Sequence, residues 1–149
     1  MKTRELFQID LPSNPERLPA FREELRAWLV HQPWDEHQLC DIILAVDEAL
    51  TNVIRHGYKN QSDQPIYFTA MALNGDGEPP GIEIRIRDYG QQVDLSKIAG
   101  RDLGDIRPGG LGVHLIRAMM SSADYFHAPG GGLLLIMRKS LNHTGRSQE

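Results

Sequence analysis

Apolar residues alternate with charged ones through the stretch GIEIRIRDYG at 81–90. A period of two residues is typical of a strand with one buried face. The stretch PIYFTAMAL at 65–73 also alternates, and the turn-rich sequence NGDGEPPG between them predicts a hairpin. A short strand is expected at 4–11, and the segments ADYFHA and GGLLLIMRKSL predict a second strand pair near the end of the chain.

Three other segments carry apolar residues at helical spacing. The first lies within 12–33, and the second, which has the strongest pattern, covers 35–56. Asp35 is suited to cap the start of this second helix, and Gly57 is suited to end it. The third helix opens in the sequence GGLGVHLIRAMMSS at 109–122.

The predicted order is strand, helix, helix, strand, strand, loop, helix, strand, strand, with the loop spanning 91–109. Helices and strands are partly segregated, which favours an α+β fold. We predict a two-layer sandwich in which a mixed, mainly antiparallel sheet is covered on one face by about three helices. The 149 residues suit one domain, expected at 1–141, and the polar segment 142–149 is expected to be disordered.

Charge and composition exclude some classes of function. The net charge is −4, from 16 basic and 20 acidic residues, whereas nucleic-acid-binding domains are usually basic. The first ten residues contain no apolar signal core, and no apolar run is long enough to span a membrane. We therefore expect a cytoplasmic protein without direct nucleic-acid or membrane partners. The single cysteine, Cys40, lies among apolar residues and is expected to be buried.

The helix at 35–56 has two opposite faces if each residue advances it by about 100°. Its apolar face holds Leu39, Ile43, Val46, Leu50, Val53 and Ile54. Its polar face holds Asp41, Glu48, Asn52 and Arg55, with His56 nearby. Because Glu48 and Asn52 are four residues apart, their side chains lie one turn apart on the same face.

An ordinary solvated face is the simplest interpretation of Glu48 and Asn52. Their neighbours Ala45 and Thr51 are short, however, and asparagine is a poor residue for the interior of a helix because it competes with the backbone. An asparagine held there indicates that its amide oxygen binds something. A hard cation such as Mg²⁺ accepts an amide oxygen together with water and substrate phosphates.

Glycines mark two further stretches. RDYG at 87–90 leaves a predicted strand, so Asp88 is placed at the strand end. In RPGGLGVHLI, three glycines precede a helix and let backbone N–H groups approach an anion. A plain glycine turn before a capped helix is the alternative. The stretch is not a P-loop, since no Gly-Lys-Ser/Thr follows.

Together these stretches resemble a known family. DEALTNVIRHGY is similar to the N box of the histidine-kinase-like ATPase fold, also called the GHKL or Bergerat fold, and RDYG and RPGGLGVHLIRAMM are similar to its two glycine boxes. The resemblance is greatest to the anti-sigma-factor serine/threonine kinases, which act in partner-switching pathways. It covers roughly 5–140 and implies ATP held between the helices and a lid formed by 91–109.

The resemblance also implies residue roles. Asn52 would hold Mg²⁺, and Glu48 would be the general base or would orient the attacking hydroxyl. Asp88 would accept the adenine amino group, and Gly90 would let the backbone pass close to the base. Further nucleotide contacts are expected from Arg55, His56, Arg107, Gly109, Gly110, Leu111 and Gly112, with Arg101 as a second arginine able to touch phosphate. His56 has an alternative role in closing its helix, where a protonated histidine interacts well with the dipole.

Two positions depart from the family pattern, and both lie on the adenine side. Gln92 replaces the second glycine of the first glycine box, and Leu133 follows Gly132 where many members have threonine. These departures concern nucleotide affinity more than the chemistry at the metal.

The resemblance implies three protein partners: an anti-anti-sigma-type (STAS-like) protein as the phosphorylated substrate, a sigma factor, and a second copy of the chain. The alternative is a non-catalytic module that sequesters a sigma factor or another partner, with nucleotide structural or absent. A metal hydrolase built on histidines is a third possibility without a recognised zinc spacing. The histidines are His31, His37, His56, His114, His127 and His143.

Overall fold

A computed structural model of the chain describes residues 6–77, 79–91 and 112–141. In chain order the elements are β1 (Leu6–Pro12), α1 (Leu18–Leu29), α2 (Glu36–Asn52), β2 (Pro65–Leu73), β3 (Gly81–Asp88), α3 (Val113–Met119), β4 (Ser122–His127) and β5 (Leu133–Ser140). A 3-10 turn at Pro15–Arg17 leads into α1, and a π-helical turn at Val53–Gly57 continues α2. The predicted lid from 92 onward and the tail at 142–149 lie outside the described residues. No helix in the described ranges is long and apolar enough to cross a bilayer.

The five strands form one sheet in the order β1-β2-β3-β5-β4, and every neighbouring pair among them is antiparallel. The final strand pair therefore joins the sheet through β5, which lies between β3 and β4. The predicted α+β sandwich is confirmed, and the strand pairings are antiparallel throughout the described sheet instead of mixed. The end of β3 consequently lies beside the start of β5.

The core lies between one face of the sheet and the helices. Ile82, Ile84 and Ile86 of β3 are almost completely buried on this face, as their alternation predicts. Phe21 of α1 packs edge to face on Phe68 of β2, with ring centroids 4.9 Å apart. Each fully buried isoleucine contributes about 1.5–3 kcal/mol of apolar transfer free energy. This packing fixes the helices over the sheet.

The start of α2 follows the prediction. Asp35 accepts a hydrogen bond from the backbone N–H of Gln38 at 2.7 Å, and the Gln38 side chain accepts one from the N–H of Asp35 at 3.1 Å. This capping box satisfies two backbone donors that would otherwise have no partner in the helix.

The end of α2 differs from the prediction. The α-helix stops at Asn52, and the wider π-helical turn Val53–Gly57 follows it. The face assignment based on about 100° per residue therefore no longer applies after Asn52. Val53, predicted on the apolar face, is half-buried and turned towards a cavity described below. π-Helical turns occur frequently at functional sites.

The buried face of α2 is also rotated from the predicted one. Ile42 is fully buried whereas Ile43 is only half-buried, and Asn52 on the predicted polar face is buried. The reason is that α2 contacts both α1 and α3 and also shares the core with the sheet, so more than one side of it is covered. The expectation of a buried cysteine is wrong: Cys40 is exposed, with its Sγ 3.4 Å from a carboxylate oxygen of Glu36.

Candidate functional site

Glu48 and Asn52 lie one turn apart in the last part of α2. Asn52 is only 8% exposed, whereas Glu48 is half-buried. The carboxylate of Glu48 lies against Gly112, the residue that precedes α3, and a side-chain carbon on Gly112 would overlap it. Gly112 also has a φ of 66°, which glycine adopts without strain. The predicted helix face and the predicted glycine-opened helix therefore meet at this point.

The other candidate residues with described positions lie beside the π-helical turn. Gly57 ends this turn, and its carbonyl accepts a hydrogen bond from the N–H of Gln91 at 2.7 Å. A side chain on Gly90 would overlap the backbone of Gly57. Gly90 was predicted to pass close to a nucleotide base. In the structure its close approach is to protein backbone, and this contact joins the end of α2 to the end of β3.

Asp88 is the buried acid of the site, with 3% exposure at the end of β3. Its Oδ1 accepts hydrogen bonds from the backbone N–H of Gly90 at 2.8 Å and of Leu133 at 3.4 Å. Burial raises the pKa of Asp88, and these two N–H groups and the charge of Arg87 oppose that rise. Such a carboxylate, held by backbone donors in an apolar setting, is suited to accept a further N–H from a ligand.

A cavity of about 30 Å³ separates Asn52 from Asp88. Its lining consists of Ala49, Asn52, Val53, His56, Gly57, Ile86, Asp88, Gln91, Tyr125, Leu133 and Leu135. Apolar walls with a few polar groups are typical of small-molecule sites. The volume suffices for one or two water molecules. The cavity is partly open, and a wider space of about 440 Å³ shares Gly57 and Gln91 with it.

The structure brings together some of the predicted residues and not others. Asn52, His56 and Asp88 share the cavity, and the Nε2 atom of His56 is buried. Arg55 is exposed and does not line it. The remaining predicted nucleotide contacts lie outside the described residues. They are Arg101, Arg107, Gly109, Gly110 and Leu111.

Two tyrosines lie at or beside the site, and the sequence analysis assigned neither of them a role. Tyr125 of β4 lines the cavity. The buried hydroxyl of Tyr58 accepts a hydrogen bond from the N–H of Tyr89 at 2.7 Å and donates one to the carbonyl of Pro65 at 2.6 Å. Burial raises the pKa of Tyr58. The only feature of the sequence that pointed to Tyr58 was its position directly after Arg-His-Gly.

Asp47, the acidic neighbour of Glu48, faces elsewhere. Its carboxylate pairs with the guanidinium of Arg22 at 2.6 Å and so links α2 to α1. The two adjacent acids on α2 therefore have separate surroundings, and only Glu48 reaches the start of α3.

The oxygen-bearing side chains of the site suit Mg²⁺ better than they suit a metal that prefers histidine ligands. No three His, Cys, Asp or Glu side chains come together as a metal cluster within the described ranges, so the histidine hypothesis gains no support there. Mg²⁺ often takes one or two protein oxygens and completes its shell with water and phosphate. The buried amide of Asn52 on the cavity wall offers one such oxygen.

Comparison with known proteins identifies similar sequences. The family model described as histidine kinase-like ATPase domain matches residues 11–139. Serine-protein kinase RsbW of Listeria monocytogenes serovar 1/2a is 27% identical over 142 residues, which cover 90% of this chain and 86% of that protein. The anti-sigma F factor of Oceanobacillus iheyensis is 31% identical over 109 residues, which cover 70% of this chain and 71% of that protein.

A solved structure has a similar fold. The crystal structure of the RsbU and RsbW domains of a Mycobacterium tuberculosis protein superposes with a TM-score of 0.64 at 26% identity. The match covers 91% of this chain and 32% of the other, so this chain spans about a third of the length of that solved chain.

Proposed function

Because this chain belongs to the histidine kinase-like ATPase domain family, we propose that it is an ATP-dependent protein serine/threonine kinase. It acts as a cytoplasmic anti-sigma factor or partner-switching regulator and phosphorylates an anti-anti-sigma-type protein. The observation that carries the proposal is the juxtaposition of the Glu48 carboxylate, the buried amide of Asn52 and Gly112 at the start of α3.

The base of the nucleotide would bind between Asn52 and Asp88. Asp88 would accept its exocyclic amino group, and the apolar walls from Ile86, Leu133 and Leu135 would contact the ring. The departure at Leu133 is compatible with this role, because its backbone N–H donates to Asp88 without needing a threonine hydroxyl. His56 would contact the nucleotide from the π-helical turn.

Glu48 would act at the opposite end of the site. The Oγ of the partner's serine would attack the γ-phosphorus of ATP while the bond from that phosphorus to the bridging oxygen breaks, and ADP would leave. Glu48 would take the proton of the attacking hydroxyl, or would orient this hydroxyl by a hydrogen bond. Asn52 would hold Mg²⁺, which when bound neutralises charge on the phosphates.

The names of the relatives support the choice of partners. One is called a serine-protein kinase and another an anti-sigma F factor, so both activities occur among similar chains. We propose an anti-anti-sigma-type (STAS-like) protein as substrate and a sigma factor as the sequestered partner, with the chain acting as a homodimer. Size-exclusion chromatography with light scattering tests the last point.

Phosphotransfer from radiolabelled ATP to a candidate anti-anti-sigma-type protein tests the kinase function. We expect Glu48→Gln to slow labelling by about 10²–10⁴-fold, the usual contribution of a general base. Asp47→Asn is the matched control, since its carboxylate pairs with Arg22 away from the site. It should retain the wild-type rate within about threefold. Equal labelling by wild type and Glu48→Gln would show that Glu48 is not the base.

The alternative function is a non-catalytic module that only sequesters its partner. The two departures on the adenine side, Gln92 and Leu133, favour it. Calorimetry with Mg-ATP discriminates between the two functions. Binding followed by phosphotransfer supports the kinase, whereas no binding, or binding without transfer to any tested partner, supports the module.

A further inference from the structure

Arg87, the penultimate residue of β3, connects three backbone carbonyls. Its Nε donates to the carbonyl of Asp88 at 3.1 Å, and its Nη2 donates to the carbonyls of Pro129 at 2.8 Å and Gly131 at 3.1 Å. The guanidinium also lies over the ring of Tyr89, 4.0 Å from the centroid. One side chain therefore joins the end of β3 to the turn between β4 and β5.

That turn has little rigidity of its own. Gly130, Gly131 and Gly132 all have positive φ, at 87°, 110° and 78°. Glycine loses more conformational freedom on folding than any other residue, so three in succession are costly to order. Two backbone hydrogen bonds, both involving Ala128, close the turn from within. Arg87 adds charge-assisted hydrogen bonds from outside, which are stronger than neutral ones.

The position of the turn determines what Asp88 meets. A side chain on Gly132 would overlap the backbone carbonyl of Asp88, so turn and strand end are packed without space between them. The next residue, Leu133, donates its N–H to Asp88 Oδ1. Movement of the turn would shift this donor and allow the carboxylate to rotate.

We propose that Arg87 is a positioning residue for recognition of the nucleotide base. By holding the 129–131 turn against β3, it keeps Oδ1 of Asp88 bound to the N–H groups of Gly90 and Leu133. Oδ2 is thereby directed to accept the amino group of an adenine. This inference rests on the proposed nucleotide binding, and Arg87 itself does not touch the base.

Nucleotide affinities measured by calorimetry on the full chain test this role. We expect Arg87→Gln to weaken ATP and ADP by the same factor, about tenfold, because the effect lies at the base and not at the phosphates. The affinity for GTP, whose base has a carbonyl at C6 where adenine has its amino group, should fall little, so the preference for ATP over GTP should decrease. The ATP affinity of Arg87→Lys should lie between those of wild type and Arg87→Gln, since an ammonium group cannot reproduce the planar fork of the guanidinium.

Arg85→Gln is the matched control. Arg85 lies two residues earlier on the same face of β3 and pairs with Glu83, which also pairs with Arg138. We expect its ATP affinity to stay within about twofold of wild type. An equal loss in Arg85→Gln would overturn the proposal, as would unchanged ATP affinity in Arg87→Gln.

Hydrogen exchange of the nucleotide-free protein separates this proposal from the kinase proposal. The amide of Leu133 should exchange faster in Arg87→Gln, while that of Ile84 in the middle of β3 should not change. If wild type binds no nucleotide, the proposed function fails and base positioning fails with it, whatever the exchange rates. If wild type binds ATP but Leu133 exchanges equally in both proteins, only the role of Arg87 is overturned.

Discussion

The candidate site contains a buried carboxyl group, that of Asp88. Burial raises the pKa of Asp88 above its ordinary value of 3.8, so the fold binds this proton more tightly than the unfolded chain does. Stability from Asp88 is therefore present at low pH and is lost as the pH rises from 3.8 towards the raised value. The fold keeps a carboxylate that costs stability at neutral pH, which is typical of a functional group.

Replacing Asp88 by asparagine should reveal this cost. The amide oxygen of Asn can accept from Gly90 and Leu133 as the carboxylate does. We expect the nucleotide-free Asp88→Asn protein to be more stable than wild type at neutral pH, and the difference to vanish below the pKa of an unfolded aspartate. Urea denaturation across this pH range measures it. Asp124→Asn is the control, because Asp124 is exposed. The prediction would be contradicted if the wild type became more stable relative to Asp88→Asn as the pH rises.

At the scale of elements, the decisive contact is that between α2 and the start of α3. Glu48 and Gly112 are 64 residues apart, and no local pattern in the sequence predicts that they touch. Periodicity predicted both helices, and only the family resemblance placed them at one site. The π-helical turn after Asn52 was missed because Val53, Ile54 and Arg55 read equally well as a continued α-helix. The end of this turn makes tertiary contacts, those of Gly57 with Gly90 and Gln91, which periodicity does not reveal.

The contact between α2 and α3 can be tested with two glycine variants. In Gly112→Ala, the added methyl group must displace the Glu48 carboxylate, so we expect phosphotransfer to fall by about tenfold or more. Gly77→Ala is the control, since Gly77 has a φ of 82° but no atom within 4 Å of the new carbon. Both variants should lose about 1–2 kcal/mol of unfolding free energy from the left-handed backbone. Equal phosphotransfer rates in the two variants would show that the contact between Gly112 and Glu48 does not affect the reaction.

For the whole molecule, the sequence predicted the layers better than the order of strands. Alternation in β3 identified its buried face correctly, and the segregation of helices from strands indicated a sandwich. The insertion of β5 between β3 and β4 depends on pairing between distant segments, which alternation does not encode. Neighbouring residues of a helix point about 100° apart. The orientation of α2 among its neighbours therefore decides that Ile42 is buried in place of Ile43 and that Cys40 is exposed.

A ligand bound only by the folded state should stabilise the whole domain. At a hundredfold excess over its dissociation constant, Mg-ATP should add about 2.7 kcal/mol, which is about 5–10 °C in Tm for a chain of this size. Removing Mg²⁺ with a chelator should reduce this shift. In Asn52→Ala the shift should be the same with and without chelator, because the proposed ligand is gone. If the rise in Tm of the wild type on adding ATP were the same with and without chelator, this would argue against Mg²⁺ at Asn52.

The contact between Gly57 and Gly90 also bears on how sequence searches assign activity. Gly90 is required where it is because a side chain there would overlap the backbone of Gly57, whether or not a nucleotide binds. A relative that has lost its enzymatic role would keep this glycine in order to fold, and would still match a signature built on it. Glycines of this kind report shared ancestry and architecture, whereas Glu48 and Asn52 are the positions at which a degenerate, inactive homologue should first diverge.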